Sequence, residues 1–581
     1  MLIRIQQINA IVGDIEQNAA RIITALQQAE HDGIALLILP ELVTCGYPPM
    51  DLLERKSFLQ AVYRQNDRIV RETGRTALLF GTIRVNSKHL GRPIYNAALL
   101  AHEGNIVDVI HKTLLPTYDV FDEFRYFEPG DDIHITEWGG RKWGITICED
   151  IWNNQNEYNY HTYEKEPAAE LKRLGADVLV NISASPFTKK KPEMREAMLQ
   201  GHARRLNLPV LYSNQVGANT ELVFDGISSV ISSDGRIVCR LATFEEDHGD
   251  VIWQHDGAMV LSADGAGIKP VSSARKSIVK PVSAEKAGIK PFPGSEERIF
   301  KALVLGLRDY VGKSGMPARV VMGLSGGIDS ALTAVIAAEA MGPERVLGIT
   351  MPSEFSSSGS VTDSGKLADN LGITLHNLSI ESVYDSFRDV LAPLFKETAF
   401  DVAEENLQSR CRGTILMAIS NKFGHMLLNT GNKSELAVGY CTLYGDMAGG
   451  LSILSDVYKT EVYAVSRWLN EAWFKKEVIP WNTINKPPSA ELRPDQKDTD
   501  SLPEYVVLDG ILKAYIEDQL PAEQIIGLGY PADEVIEIIR MVDRNEYKRR
   551  QAAPGLRITS KAFGMGRRLP IVQRWTEWVK K

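Results

Sequence analysis

Val320–Ala334 reads VVMGLSGGIDSALTA. Its apolar start has the make-up of a buried strand, its glycines mark a tight turn, and its alanine-bearing end opens a helix. Strand, glycine turn and helix start together form the layout of an anion-binding loop. Gly326 and Gly327 let the backbone approach an anion closely. The first amides of the helix, near Asp329 and Ser330, then point at its oxygens, and the Ser325 and Ser330 hydroxyls add donors. The Gly-Lys-Ser/Thr ending of the common nucleotide loop is absent. A bare Gly-Gly turn is equally a plain strand–helix connection. Two serines and an aspartate crowding the turn favour the anion.

Working outward, this loop starts a βαβαβ series. ARVVMGL, ERVLGITMP and ITLHNLSI read as strands, and DSALTAVIAAEAMG and VTDSGKLADNLG as the helices between them. Such a series predicts a doubly wound parallel sheet, with ligands at the carboxyl ends of its strands. Residues 296–581 are assigned to this Rossmann-like domain. Ahead of it, SADGAGIKPVSSARKSIVKPVSAEKAGIKPFPGSEE is rich in Pro, Gly, Ser, Ala and Lys and carries AGIKP twice. Residues 262–295 therefore read as a linker. Residues 1–261 alternate β-rich runs (33–41, 76–85, 142–150, 176–185, 208–217) with helical stretches, which predicts a layered α/β domain.

Bulk composition bounds the function. With 581 residues, 44% hydrophobic and 24% charged, the chain is an ordinary multidomain globular protein. A net charge of -9 argues against a nucleic-acid partner. No apolar run is long enough to span a membrane, and the N-terminus lacks a secretory pattern. Five scattered cysteines without CxxC spacing argue against a disulfide framework or zinc site and predict a reducing, cytoplasmic setting.

Three further signals lie in the front half: LPELVTCGYPPMDLL with Glu41, HKTLLPTYDVFDE with Lys112, and GITICEDIW with Cys148. Each sits at a strand end. Converging there, a Glu, a Lys and a Cys make an amide-cleaving site of nucleophile, base and oxyanion-stabilising cation. Read singly, the cysteine is a small buried hydrophobe, the glutamate a helix cap and the lysine a solvated side chain. Spacing does not show that the three meet.

These motifs carry a resemblance to known families. SGGIDS resembles the pyrophosphate-binding loop of the ATP pyrophosphatase group, whose members split ATP into AMP and pyrophosphate. ENLQSRCRG, NTGNKSELAVGYCTLYGDMAGGLSILSDVYKTEVY and NKPPSAELRPDQKDTDSLPEY narrow the likeness to NAD synthetases. Taken alone, TGNKSE is a helix N-cap and KRRQ, at the end of the chain's EYKRRQ, a solvated helix face. The front domain resembles the nitrilase/amidase family, an α-β-β-α sandwich whose Glu–Lys–Cys triad matches Glu41, Lys112 and Cys148. Together they resemble the glutamine-dependent NAD synthetases over nearly the whole chain, the linker excepted.

The resemblance implies ATP-dependent amidation of deamido-NAD⁺ with ammonia drawn from glutamine through an internal tunnel. It implies ATP as substrate, bound by Gly323, Leu324, Ser325, Gly326, Gly327, Ile328, Asp329, Ser330 and Thr430. Mg²⁺ falls to Asp329 and Glu435, deamido-NAD⁺ to Asn406, Glu435 and Lys548, and glutamine to Tyr118, Glu123, Ser185 and Lys191. It also implies a homo-oligomer assembled through the synthetase domain.

Overall fold

A computed structural model describes residues 1–88, 90–152, 163–254, 257–262, 288–316, 318–494 and 496–575. The chain divides into two compact units, Met1–Pro293 and Gly294–Lys581. Most of the expected linker, residues 263–287, lies outside the described residues. Its end is fastened to the first unit: Arg240 donates its N–H to the Gly288 carbonyl and accepts from the Lys290 N–H.

The first unit is built on two large sheets, with a two-stranded antiparallel ribbon, Val216–Asn219 and Leu222–Asp225, beside them. One has seven strands in the order Met259–Leu261, Asp247–Trp253, Leu2–Gln7, Leu36–Ile38, Ala77–Val85, Ile94–His102, Asn105–His111. The other has six, in the order Ile237–Arg240, Ser229–Ile231, Val210–Asn214, Val178–Ser183, Arg141–Ile147, Thr136–Trp138. Strand side chains alternate between faces, and the cores follow that alternation. Ile3, Ile5, Leu36, Ile38 and Leu79 meet Ile145, Ile147, Val180, Ile182 and Leu211 between the sheets. The alternate residues Leu37, Leu39, Leu78 and Phe80 face outward onto Ala19, Ile22 and Leu26 of the helix Ile15–His31. On the far side, Leu179, Val210 and Tyr212 pack on Leu171, Met198 and Leu199 from helices Pro167–Arg173 and Lys191–Leu206. The result is an α-β-β-α sandwich.

Two local differences from the sequence reading matter. The strand expected over 33–41 is regular only at Leu36–Ile38, with single backbone bonds continuing to Leu39 and to the Pro40 carbonyl; Pro40 carries no N–H to extend the ladder, and Glu41 lies beyond it. The strand expected over 142–150 stops at Ile147, and a 3₁₀ turn takes Cys148–Ile151.

The second unit carries a parallel five-stranded sheet in the order Thr374–Asn377, Val346–Thr350, Val320–Gly323, Met426–Asn429, Leu451–Ser452. The chain builds outward from Val320–Gly323 on one side, then crosses to Met426–Asn429 on the other. The topological switch point therefore lies between these two strands, where a crevice opens at their carboxyl ends. SGGIDS follows the first and TGNKSE follows the second. No helix among the described residues is long and apolar enough to cross a membrane.

Candidate active sites

In the first unit Glu41 follows Leu36–Ile38, Lys112 follows Asn105–His111, and Cys148 follows Arg141–Ile147. The structure brings the three together. The fully buried Lys112 ammonium donates to Glu41 Oε1 at 2.8 Å and to both Glu123 oxygens at 2.8 Å. Asn96 donates to the same Glu41 oxygen at 2.7 Å, and the Ala184 N–H to the other at 2.8 Å. Tyr47 donates its hydroxyl to Glu123 at 2.8 Å. Glu41 is thus fixed from three sides. Gly81 permits the close approach: a Cβ there would stand 2.3 Å from the Leu42 nitrogen and 2.5 Å from the Glu41 Cα.

Cys148 turns sharply. Its φ of 45° lies in the left-handed region, which costs an ordinary side chain on the order of 1–3 kcal/mol. Asp150 holds that turn, accepting from the N–H groups of Ile147 at 3.0 Å, Thr113 at 3.0 Å and Leu114 at 2.7 Å. One buried carboxylate therefore ties the cysteine turn to the segment that follows Lys112.

Electrostatics set the resting protonation. Burial opposes the Lys112 charge, but the Glu123 and Glu41 carboxylates outweigh it and hold the ammonium well above the usual lysine range. Burial, followed by the Lys112 charge working the other way and by Glu41, leaves Glu123 raised to about 7. Burial and the Glu41 charge push the Cys148 thiol well above its ordinary value, against Lys112. The sulfur at rest carries its proton, so a base must remove it when substrate binds.

The expected glutamine-binding residues surround this centre. Tyr118 donates its hydroxyl to the Glu149 carboxylate at 3.0 Å, and Tyr163 to the same group at 3.1 Å. The Lys191 ammonium lies 5.8 Å from the Phe121 ring centre and 5.2 Å from that of Trp152, and its charge acts on Glu149. Ser185 follows Ala184, donates its N–H to Asn214 at 2.9 Å, and has no hydrogen-bond partner for its buried hydroxyl among the described residues. Sequence reasoning missed Asn96, Tyr47, Glu149, Asp150 and Asn214. Only the two acids beside Cys148 in GITICEDIW carried a signal.

In the second unit Ser325, Asp329, Ser330, Thr430 and Glu435 line one cleft at the switch point, with Tyr440, Cys441 and Asp446 on its wall. Leu324 leaves the strand Val320–Gly323 by donating its N–H to Ile349 at 2.8 Å. Gly326 has a φ of 76°, and a Cβ there would stand 2.4 Å from the Ser360 carbonyl oxygen. Gly327 caps the helix Ile328–Met341. Ser325 and Ser330 lie with their hydroxyls 3.2 Å apart, and Ser330 donates to the Gly327 carbonyl at 3.0 Å.

Lys459, which the sequence reading did not single out, joins the two motifs. Its ammonium donates to Asp329 Oδ2 at 2.5 Å and to Glu435 Oε1 at 3.0 Å. Asn432, the N-cap of the helix Lys433–Val438, donates to Asp329 Oδ1 at 2.9 Å. Burial opposes the Lys459 charge, but Asp329 and Glu435 keep it well above the usual range. Glu435 is raised to about 7 by burial, with Lys459 opposing and Asp329 reinforcing. TGNKSE thus forms the N-cap that its sequence allows and also faces the glycine loop. Asn406 and Lys548 meet the cleft through a shared turn. Thr442 donates its hydroxyl to Asn406 at 2.6 Å, and Lys548 donates to the carbonyls of Gly439 and Cys441 at 2.7 Å each.

Comparison with known proteins gives the same division. Residues 2–260 match the carbon-nitrogen hydrolase family and residues 299–552 match the NAD synthase family. A glutamine-dependent NAD(+) synthetase of Synechocystis is 44% identical over 575 residues, 98% of each chain. That of Thermotoga maritima is 43% identical over 595 residues, 99% of each chain. The structure of glutamine-dependent NAD+ synthetase from Acinetobacter baumannii in complex with ADP is 38% identical, with a TM-score of 0.74 over 100% of this chain and 99% of the other. With both sites on one chain and this likeness along its whole length, the protein belongs to the glutamine-dependent NAD(+) synthetases.

Proposed function

We propose that residues 1–261 release ammonia from glutamine at Cys148, that residues 296–581 adenylate deamido-NAD⁺ with ATP, and that 262–295 link the two. The observation that carries this reading is the buried Lys112 ammonium held between Glu41 and Glu123 beside Cys148.

Glu41 takes the Cys148 proton as the sulfur attacks the glutamine carboxamide carbon. Lys112 stabilises the oxyanion of the tetrahedral intermediate. Glu41 then returns the proton to the leaving nitrogen, and ammonia departs from a γ-glutamyl thioester. Water, deprotonated by Glu41, attacks the thioester carbon; glutamate leaves and the sulfur regains its proton. Glutamine binding falls to Tyr118, Glu123, Ser185 and Lys191. The unpartnered Ser185 hydroxyl supports this, since a buried hydroxyl without a partner costs about 1–3 kcal/mol unless a ligand satisfies it.

In the second unit the 323–330 loop and Thr430 hold ATP, the loop taking the pyrophosphate end. Asn406, Glu435 and Lys548 place deamido-NAD⁺. Its carboxylate attacks the α-phosphorus, pyrophosphate leaves, and ammonia displaces AMP from the acyl adenylate to give NAD⁺. Asp329 and Glu435 would hold Mg²⁺ with the Lys459 ammonium still between them: each carboxylate oxygen has a second lone pair, and two hard carboxylates leave the ion's remaining positions to phosphate oxygens and water. Bound there, the ion would neutralise phosphate charge. Keeping ammonia from water between the sites is sensible, because near neutral pH it would protonate and cease to be a nucleophile.

The protein acts as a homo-oligomer through the synthetase unit. On the helix Glu381–Phe395, Val383, Phe387, Val390 and Leu394 form one apolar stripe, with Val390 75% and Leu394 79% exposed. Such a stripe on a charged protein marks an interface, and a second copy presents the same face. Five cysteines without a disulfide suit a cytoplasmic setting.

The adenylating half is tested by ATP–pyrophosphate exchange. Exchange should require deamido-NAD⁺ and disappear in Asp329→Ala, together with NAD⁺ formation from either nitrogen source. Full exchange in that variant would remove Asp329 from the site.

A further inference from the structure

Ser185 and Glu41 are held by one short piece of backbone. The Ala184 N–H donates to Glu41 Oε2 at 2.8 Å, and the next N–H, that of Ser185, donates to Asn214 Oδ1 at 2.9 Å. Asn214 ends the strand Val210–Asn214, which pairs in parallel with Val178–Ser183 and places Asn214 opposite Ser183. Its side chain therefore reaches along the sheet edge to the Ala184–Ser185 turn. Its amide nitrogen donates in turn to Gly226 O at 2.9 Å and Asp225 Oδ1 at 3.3 Å. Asp225 Oδ2 accepts from Arg195 at 2.8 Å. Asn214 and Asp225 are fully buried, and Arg195 is 1% exposed.

We propose that the Arg195–Asp225–Asn214 chain is a positioning relay for the glutaminase site. It fixes the Ala184–Ser185 turn, and so holds the glutamine-binding hydroxyl and the general base in register. This rests on the proposed roles of Ser185 and Glu41.

The chemistry of the chain requires these residue types. Asn214 must accept from the Ser185 N–H on one atom and donate to Asp225 on the other, which aspartate cannot do. Asp225 pairs with Arg195 through Oδ2, so it keeps Oδ1 for the Asn214 amide. A buried ion pair adds little net stability compared with packed apolar side chains, so filling this volume did not need one. What a charged pair adds is orientation: it polarises and aims the Asn214 amide, and through it the Ser185 amide. Arg195 also stacks its guanidinium 5.6 Å from the Tyr212 ring centre, which fixes the far end of the relay.

The test uses the full-length enzyme and measures NAD⁺ formation with glutamine or with ammonium as donor. Asn214→Ala should lower kcat/KM for glutamine by roughly 10–100-fold, the span of one buried hydrogen bond. Most of the fall should appear in KM, because Ser185 is the nearer of the two groups. The ammonium-driven rate should stay within twofold. Asn214→Asp, which sets a carboxylate against Asp225, should fall at least as far. Asp225→Asn with Arg195→Gln removes both charges, keeps an oxygen for Asn214 to donate to, and should still lower kcat/KM for glutamine by at least threefold.

A folded Asn214→Ala enzyme with glutamine KM and kcat within twofold of wild type would overturn the relay. So would an equal fall with both donors. If Asn214→Ala does not fold, the Asp225→Asn/Arg195→Gln variant decides: glutamine KM and kcat within twofold of wild type there refutes the proposal. Ser185→Ala separates the two levels. An unchanged glutamine KM there would remove the serine from the binding site. A raised KM there beside a normal Asn214→Ala would remove only the relay.

Discussion

Lys112→Met strips a buried charge from between two buried carboxylates. In the wild type the ammonium makes three contacts of 2.8 Å, to Glu41 and twice to Glu123, at 0% exposure. Methionine fills much of the volume but leaves Glu41 and Glu123 facing each other without a cation. Removing one partner of a buried ion pair costs about 3–5 kcal/mol. At roughly 2–4 °C per kcal/mol, unfolding of the first unit should begin about 6–20 °C lower. The sign of the pH dependence follows from Glu123. Its folded-state pKa is already raised to about 7, first by burial and with Lys112 opposing. Without Lys112 it rises further. A carboxyl with a raised folded pKa contributes stability below its unfolded pKa and loses it as pH rises through the folded one. The wild type completes that loss near pH 7, whereas the variant continues to lose stability above it. The deficit should therefore be larger at pH 9 than at pH 6, opening by at most about 1.4 kcal/mol per pH unit for one proton. Hydrogen exchange on peptides from residues 1–261, during a temperature series at both pH values, reads this directly. A variant melting within 2 °C of wild type at pH 9, or with a deficit independent of pH, would refute the charge argument.

Other consequences can be checked in parallel. Lys459→Met removes the ammonium that joins Asp329 to Glu435. Ammonium-driven NAD⁺ formation should fall by roughly 10–100-fold, the range of one charge-assisted hydrogen bond, while glutamine hydrolysis persists; an unimpaired rate would show that Asp329 needs no such support. Phe387→Asp combined with Leu394→Asp, both at exposed positions, should leave thermal stability within a few degrees and shift sedimentation to the monomer. A variant that sediments like wild type would move the interface elsewhere.

The layers were legible because alternation writes them. Leu36 and Ile38 point one way and Leu37 and Leu39 the other, and the two cores sort them accordingly. The glycine loop was legible because a left-handed turn pressed against Ser360 admits only glycine. Convergence was not. Glu41, Lys112 and Cys148 are local features whose meeting depends on sheet order, and no spacing encodes sheet order. The left-handed backbone of Cys148 was likewise silent, since the residue there is not one that announces such a turn. The relay through Asn214 was invisible for a related reason. An asparagine after VLYS reads as a strand end, and its two partners, Ser185 and Asp225, lie on separate elements. Lys459 sits inside a quoted motif, yet as one lysine among several it gave no sign that it bridges two carboxylates.

The central claim is that one chain holds two separable chemistries, and Cys148→Ala tests it most directly. NAD⁺ formation from deamido-NAD⁺, ATP and Mg²⁺ should be measured for wild type and variant with glutamine and with ammonium. The account predicts that the variant loses the glutamine reaction and keeps the ammonium reaction at the wild-type rate. Loss of both, or survival of the glutamine reaction, would contradict it.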